Sequence, residues 1–103
     1  NSISSYTFVF MKHWNIKVTG KVQGVFFRAS TKAVADQLGV KGFVKNLSDG
    51  SVYIEAEGDK FALESLLEFC GEGPEKAEVD QVDYEESTDL KGFRNFEVIK
   101  KNK

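Results

Sequence analysis

Trp14-Asn15-Ile16-Lys17-Val18-Thr19-Gly20-Lys21-Val22-Gln23-Gly24-Val25-Phe26-Phe27-Arg28 changes its periodicity midway. Trp14, Ile16 and Val18 alternate with polar neighbours, which predicts a half-buried strand over about Trp14 to Thr19. From Phe27 onward, Phe27, Thr31, Val34 and Leu38 recur at helical spacing and predict the inner stripe of a helix. Thr31 is the imperfect member, with a methyl to bury and a hydroxyl able to bond back to the preceding turn. Gly39 is the residue expected to turn left-handed at the helix end. Between strand and helix lies a loop with Gly20 and Gly24, and an arginine where the helix begins. Unpaired N–H groups and the helix dipole make such a terminus favourable for an anion. The guanidinium of Arg28 adds a planar fork that matches phosphate. A cation is misplaced there unless an anion answers it, so the stretch reads as a phosphate-binding loop.

The chain downstream supplies a partner for that unit. Gly42 to Leu47 and Ser51 to Glu57 read as two strands joined by a Ser48-Asp49-Gly50 turn. In the second, Val52, Ile54 and Ala56 face one side while Tyr53, Glu55 and Glu57 face the other, which predicts a sheet with one face open or partly covered. Asp59 is placed to cap a helix whose stripe is Leu63, Leu66, Leu67 and Cys70, ended by Gly71, Gly73 and Pro74. Ala77 to Tyr84 reads as a strand whose phase changes around Asp80-Gln81, as a bulge would make it. Asn95 to Ile99 is a last short strand. The order β-α-β-β-α-β with an extra short strand predicts an α+β, ferredoxin-like plan: two helices on one face of an antiparallel sheet. That plan carries many functions and decides none of them.

The 103 residues suit one domain, placed at 11–103, with residues 1–10 read as an extension upstream of a native start at Met11, flexible or incidental. An edge strand or partner-binding arm is the alternative for Tyr6-Thr7-Phe8-Val9-Phe10. His13 is expected to be a solvated side chain near the terminus. A formal net charge of −2, and basic residues scattered apart from a solvated tail at Lys100, Lys101 and Lys103, argue against a nucleic-acid surface. Lys41-Gly42-Phe43-Val44 resembles the start of an RNA-binding motif, but Lys45 and Asn46 follow where base-stacking aromatics belong. No apolar run reaches the roughly 20 residues of a membrane span. One cysteine and one histidine are too few for a zinc site, and a core thiol at Cys70 fits a reducing, cytoplasmic setting.

The same inventory closes several chemistries. The only histidine, His13, lies near a terminus, so no Ser-His-Asp set is read; Cys70 sits on an apolar stripe; no lysine completes a Walker loop. A phosphate cradle and neutral polar groups remain. Asn46, late in its strand, can hold a water by accepting one hydrogen bond and donating another, which suffices when the leaving group is good. An acyl phosphate has such a leaving group. Asn46 reads equally as a turn former before Ser48-Asp49-Gly50.

At these residues the chain resembles the acylphosphatase family. Gly20 to Arg28 is similar to the signature G-x-V-Q-G-V-x-[FY]-R, and Gly42 to Gly58 to G-[FYW]-[AVC]-x-N-x-x-x-G-x-V-x-x-x-x-x-G. The resemblance runs from about Met11 to Lys100. It implies a metal-independent, cofactor-free, monomeric hydrolase of small acyl phosphates that also binds inorganic phosphate or sulfate. It implies that Arg28 and the backbone amides of Gln23, Gly24, Val25, Phe26, Phe27 and Arg28 hold the phosphoryl group, and that Asn46 positions the attacking water. Leu47 stands where some members have Thr, which removes any hydroxyl support for Asn46 from that position. A phosphate or carbamoyl-phosphate binding module without turnover is the alternative.

Overall fold

The computed structural model describes residues 11–24, 26–87 and 89–99. The proposed extension 1–10, Val25 of the loop and the lysine tail lie outside the described residues. In chain order the elements are β1 (Met11–Lys21), α1 (Phe27–Leu38), β2 (Lys41–Asn46), β3 (Val52–Asp59), α2 (Lys60–Glu72), β4 (Glu78–Ser87) and β5 (Phe96–Ile99). The strands form one sheet in the order β4-β1-β3-β2-β5. β1 exceeds its predicted length because it is flanked on both sides: it pairs with β3 from Met11↔Asp59 to Val18↔Val52, and with β4 from His13↔Ser87 to Lys21↔Glu78.

The four strands of the β-α-β-β-α-β unit are antiparallel, as expected. β5 adds in parallel beside β2, Gly42 to Lys45 against Phe96 to Ile99, so the whole sheet is mixed. The reason is the route of the chain: residues 89–95 cross from β4 at one edge to the other edge and enter it in the direction of β2. Trp14, Ile16, Val18, Val44, Val52, Ile54 and Ala56 point from the sheet into a core closed by Phe27, Ala35, Leu63, Leu66 and Cys70 of the two helices.

Local sequence chemistry accounts for most element ends. The Asp59 carboxylate accepts a hydrogen bond from the Ala62 amide at 2.7 Å and caps α2. Gly39 closes α1 at φ 77°. Thr31 donates from Oγ1 to the Phe27 carbonyl at 2.8 Å. The buried row of α1 is Phe27, Thr31 and Ala35, with Val34 and Leu38 at its shoulder, because the i, i+4 row faces the sheet. Thr19 pairs with Gln81 but Gly20 with Val79, leaving Asp80 as the extra residue of the expected bulge. Gly20, at φ 129°, is required there, since a Cβ would run into the backbone of Glu78 and Asp80.

His13 is not solvated. It is 1% exposed, its Nδ1 lies 2.7 Å from Glu57 Oε2, and its Nε2 lies 3.0 Å from Asn15 Oδ1 and 3.2 Å from Glu55 Oε1. Pairing with both neighbours puts β1 inside the sheet, and the 89–95 crossover covers its second face. Phe93 stacks on the imidazole with ring centroids 6.0 Å apart, and the Lys91 and Gly92 amides donate to the Glu57 carboxylate. Burial pushes the Glu57 carboxyl up, but the Lys91 amide, His13 and the Gly92 amide outweigh it and hold it below its ordinary value.

Candidate functional site

The loop between β1 and α1 is anchored at both ends and in the middle. Val22 and Phe27 are buried, and the Phe27 ring packs against Phe69 of α2 at 5.9 Å. Gln23 donates from Nε2 to the carbonyls of Leu47 and Ser51, each at 2.8 Å. Its side chain therefore ties the loop to the β2–β3 hairpin, and Gln23 is not among the residues lining the cavity beside the loop. Gly24 turns the chain at φ 75°. Phe26 follows in the left-handed conformation, φ 61°, at the N-terminus of α1. No side chain caps that terminus and no acidic residue occupies its first turn. The first amides of α1 thus have no side-chain partner among the described residues, and an anion can supply one.

Arg28 is held from the far edge of the sheet: its Nη1 donates to the Ile99 carbonyl of β5 at 2.9 Å. A guanidinium carries five N–H donors in a rigid fork, so the others stay available. Asn46 ends β2 on the side that faces the helices, in the alternation of Gly42 and Val44. Both residues, with Gly24, Phe26 and Val98, line one cavity of about 280 Å³. Asn46 Oδ1 is buried there and has no hydrogen-bond partner among the described residues. Leu47 contributes to the hairpin through its backbone, donating to the Ser51 carbonyl and accepting from Gly50 and Gln23. It supplies no side-chain hydroxyl toward Asn46.

The hairpin that carries Asn46 is itself fixed. Asp49 accepts hydrogen bonds from the Ser51 hydroxyl and, at 3.0 Å, from the Ser51 amide; these, with Lys17 Nζ at 3.2 Å, lower its carboxyl to about 2. Asn46 is thus both the residue before a tight turn and a lining residue of the cavity, so a place at the turn does not remove it from the site.

The structure brings Gly24, Phe26, Phe27, Arg28 and Asn46 around one space; Val25 lies outside the described residues. Cys70 and His13 are elsewhere. Burial pushes the Cys70 thiol up to about 12, as a core thiol requires. Among the described residues, no group of His, Cys, Asp or Glu is arranged to hold a metal ion, and no helix is long and apolar enough to cross a membrane. Two features escaped the sequence: the Ile99 carbonyl that orients Arg28, and the Gln23 clamp. The first is a backbone group with no sequence signature. The second had the Gln itself as a signal, since a loop amide side chain needs partners.

The sequence model of the acylphosphatase family matches residues 14–98. The chain is similar to an acylphosphatase of Marinobacter nauticus, 48% identical over 86 residues that make up 84% of this chain and 94% of that one. Identity to an acylphosphatase of Thermotoga maritima is 49% over 88 residues, 85% of this chain and 97% of that one. The solved structure of an acylphosphatase from Coxiella burnetii superposes with a TM-score of 0.86 at 38% identity, covering 90% of this chain and 97% of that one.

Proposed function

The chain belongs to the acylphosphatase family of enzymes, and on that premise we propose that it hydrolyses acyl phosphates to a carboxylate and inorganic phosphate, using Arg28 and Asn46. The observation that carries the residue assignment is the cavity shared by Arg28 and Asn46, with Asn46 Oδ1 buried and unpartnered inside it. A buried acceptor without a partner is destabilising by about 1–3 kcal/mol, and a bound water removes that penalty by donating to it.

The phosphoryl group enters the loop and accepts hydrogen bonds from the amides of Gln23 to Arg28 and from the free donors of the Arg28 fork. Donors held by the folded chain rather than recruited by the substrate stabilise the spreading negative charge without reorganising. Asn46 accepts one hydrogen bond from the water and leaves an oxygen lone pair to attack phosphorus. The new P–O bond forms as the bond to the acyl oxygen breaks. The leaving carboxylate is a weak base and departs without a proton, while the attacking water's proton ends on a phosphate oxygen. A carboxamide is no base, and this reaction does not require one.

The test is hydrolysis of benzoyl phosphate by the purified protein in EDTA. Turnover is expected, and wild-type protein with no activity above buffer overturns the reading. Asn46→Ala is expected to bind inorganic phosphate by calorimetry and to lose turnover. Phosphate binding without hydrolysis of any acyl phosphate by the wild type selects the binding-module alternative.

A further inference from the structure

Among the described residues, Phe26, Phe61 and Tyr84 are the large apolar side chains left mostly exposed. Phe61 lies on α2 and Tyr84 on β4, where its ring packs 4.6 Å from Trp14. Phe26 is different on two counts. It is 79% exposed, and it is the one non-glycine residue with positive φ among those described. A bulky residue in the left-handed region is strained, and glycine would fill that position without strain. Exposure denies Phe26 the packing that ordinarily offsets such strain. A strained, exposed aromatic that contributes nothing to the core is a residue whose contribution is made to something else.

Its position says to what. Phe26 lines the cavity that holds Arg28 and Asn46, together with the apolar Val22, Ala29 and Val98. One part of that cavity is polar and anion-seeking; the rest is hydrocarbon. An acyl phosphate has the same division, with a charged phosphoryl end and an acyl end that must leave the loop past its rim. Resting on the hydrolytic reading above, we infer that Phe26 is a specificity-determining residue whose ring contacts the acyl group, and that the site favours acyl phosphates carrying an aromatic or extended apolar acyl group. The Phe26 amide serves every acyl phosphate alike; its ring serves only those with an acyl group large enough to reach it.

The experiment is the ratio of kcat/KM for benzoyl phosphate to that for acetyl phosphate. Effects of a substitution on the phosphate cradle are common to both substrates and cancel in the ratio. Phe26→Gly suits the left-handed backbone and removes only the ring; it is expected to lower the ratio roughly fivefold, the size of one aromatic contact. Phe26→Tyr, which keeps the ring, is expected to restore it. A ratio within twofold of wild type for Phe26→Gly, or no recovery with Phe26→Tyr, overturns the inference. Turnover of both substrates with an unchanged ratio removes this inference and leaves the hydrolytic reading standing. Turnover of neither by the wild type removes both.

Discussion

Two polar clusters, one buried and one lining an open cavity, sit on opposite faces of the same sheet and are finished to different degrees. Around His13, both ring nitrogens meet oxygen acceptors, Glu57 receives the Lys91 and Gly92 amides, and Phe93 closes the top. Around Arg28, the first amides of α1 lack a side-chain cap and Asn46 Oδ1 has no partner among the described residues. A polar group in a protein interior is tolerable when its hydrogen bonds are made and costly when they are not. The first cluster therefore holds a crossover in place, while the second keeps unmet donors and an acceptor, as the proposed anion and water require. The His13 cluster is nearly complete: among the described residues Glu55 Oε1 is its one buried oxygen without a hydrogen bond, with His13 Nε2 and Lys91 Nζ at 3.2 and 3.6 Å as charged-group neighbours. The Arg28 cluster is deficient at both its helix amides and Asn46.

Substitutions on each side should separate stability from turnover, and the largest effect is expected at Arg28. Arg28→Ala removes charge and fork together and should lower kcat/KM about a thousandfold or more, with its thermal midpoint near that of wild type. A loss below tenfold would place the phosphoryl group elsewhere. His13→Ala should act on the other face, where it leaves the buried Glu57 carboxylate without its imidazole hydrogen-bond partner and costs roughly 3 kcal/mol in urea unfolding. Activity of the folded fraction should persist, and an undiminished urea midpoint would dissolve the contrast between the faces. Asn46→Ala should lower kcat about a hundredfold while leaving phosphate inhibition intact. Equal losses in kcat and phosphate affinity would assign Asn46 to binding.

The smallest effect is one of pH. Glu57 is held below its ordinary value in the folded protein, so it binds a proton more readily once unfolded. Its contribution is present above the unfolded carboxyl value and is lost as pH falls through the folded one. Thermal midpoints of wild type should therefore fall on acidification below about pH 4.5, the unfolded carboxyl range. Glu57→Gln should be less stable near neutrality and show a shallower acid decline. Parallel acid profiles for the two proteins would mean that Glu57 is not the responsible group.

Much of the candidate site was legible because its parts are local. Gly24 at a turn, an arginine on an uncapped helix and a helix running from Phe27 to Leu38 follow from spacing and end chemistry within a few residues, as do the Asp59 cap and the Asp80 bulge. The site's partner, Asn46, was legible only as a residue with two readings. What escaped was long-range. His13 was misplaced because its surroundings come from Glu57 and Phe93, distant in sequence and brought together by strand order. Phe26 gave no sign of left-handed backbone, since that conformation is imposed by the loop's anchors, Gln23 on the hairpin and Phe27 in the core.

By itself, the sequence determined the elements, their capping and the arginine in the first turn of an uncapped helix. These depend on hydrogen bonds and side-chain periodicity that close within a turn or two. The tertiary structure alone decided that β5 runs parallel to β2 and orients Arg28, that residues 91–93 seal the second face over His13, and that Phe26 stands exposed at the rim of the cavity. Each of these depends on which distant segments pair, and that is settled by packing the whole sheet rather than by any stretch of it.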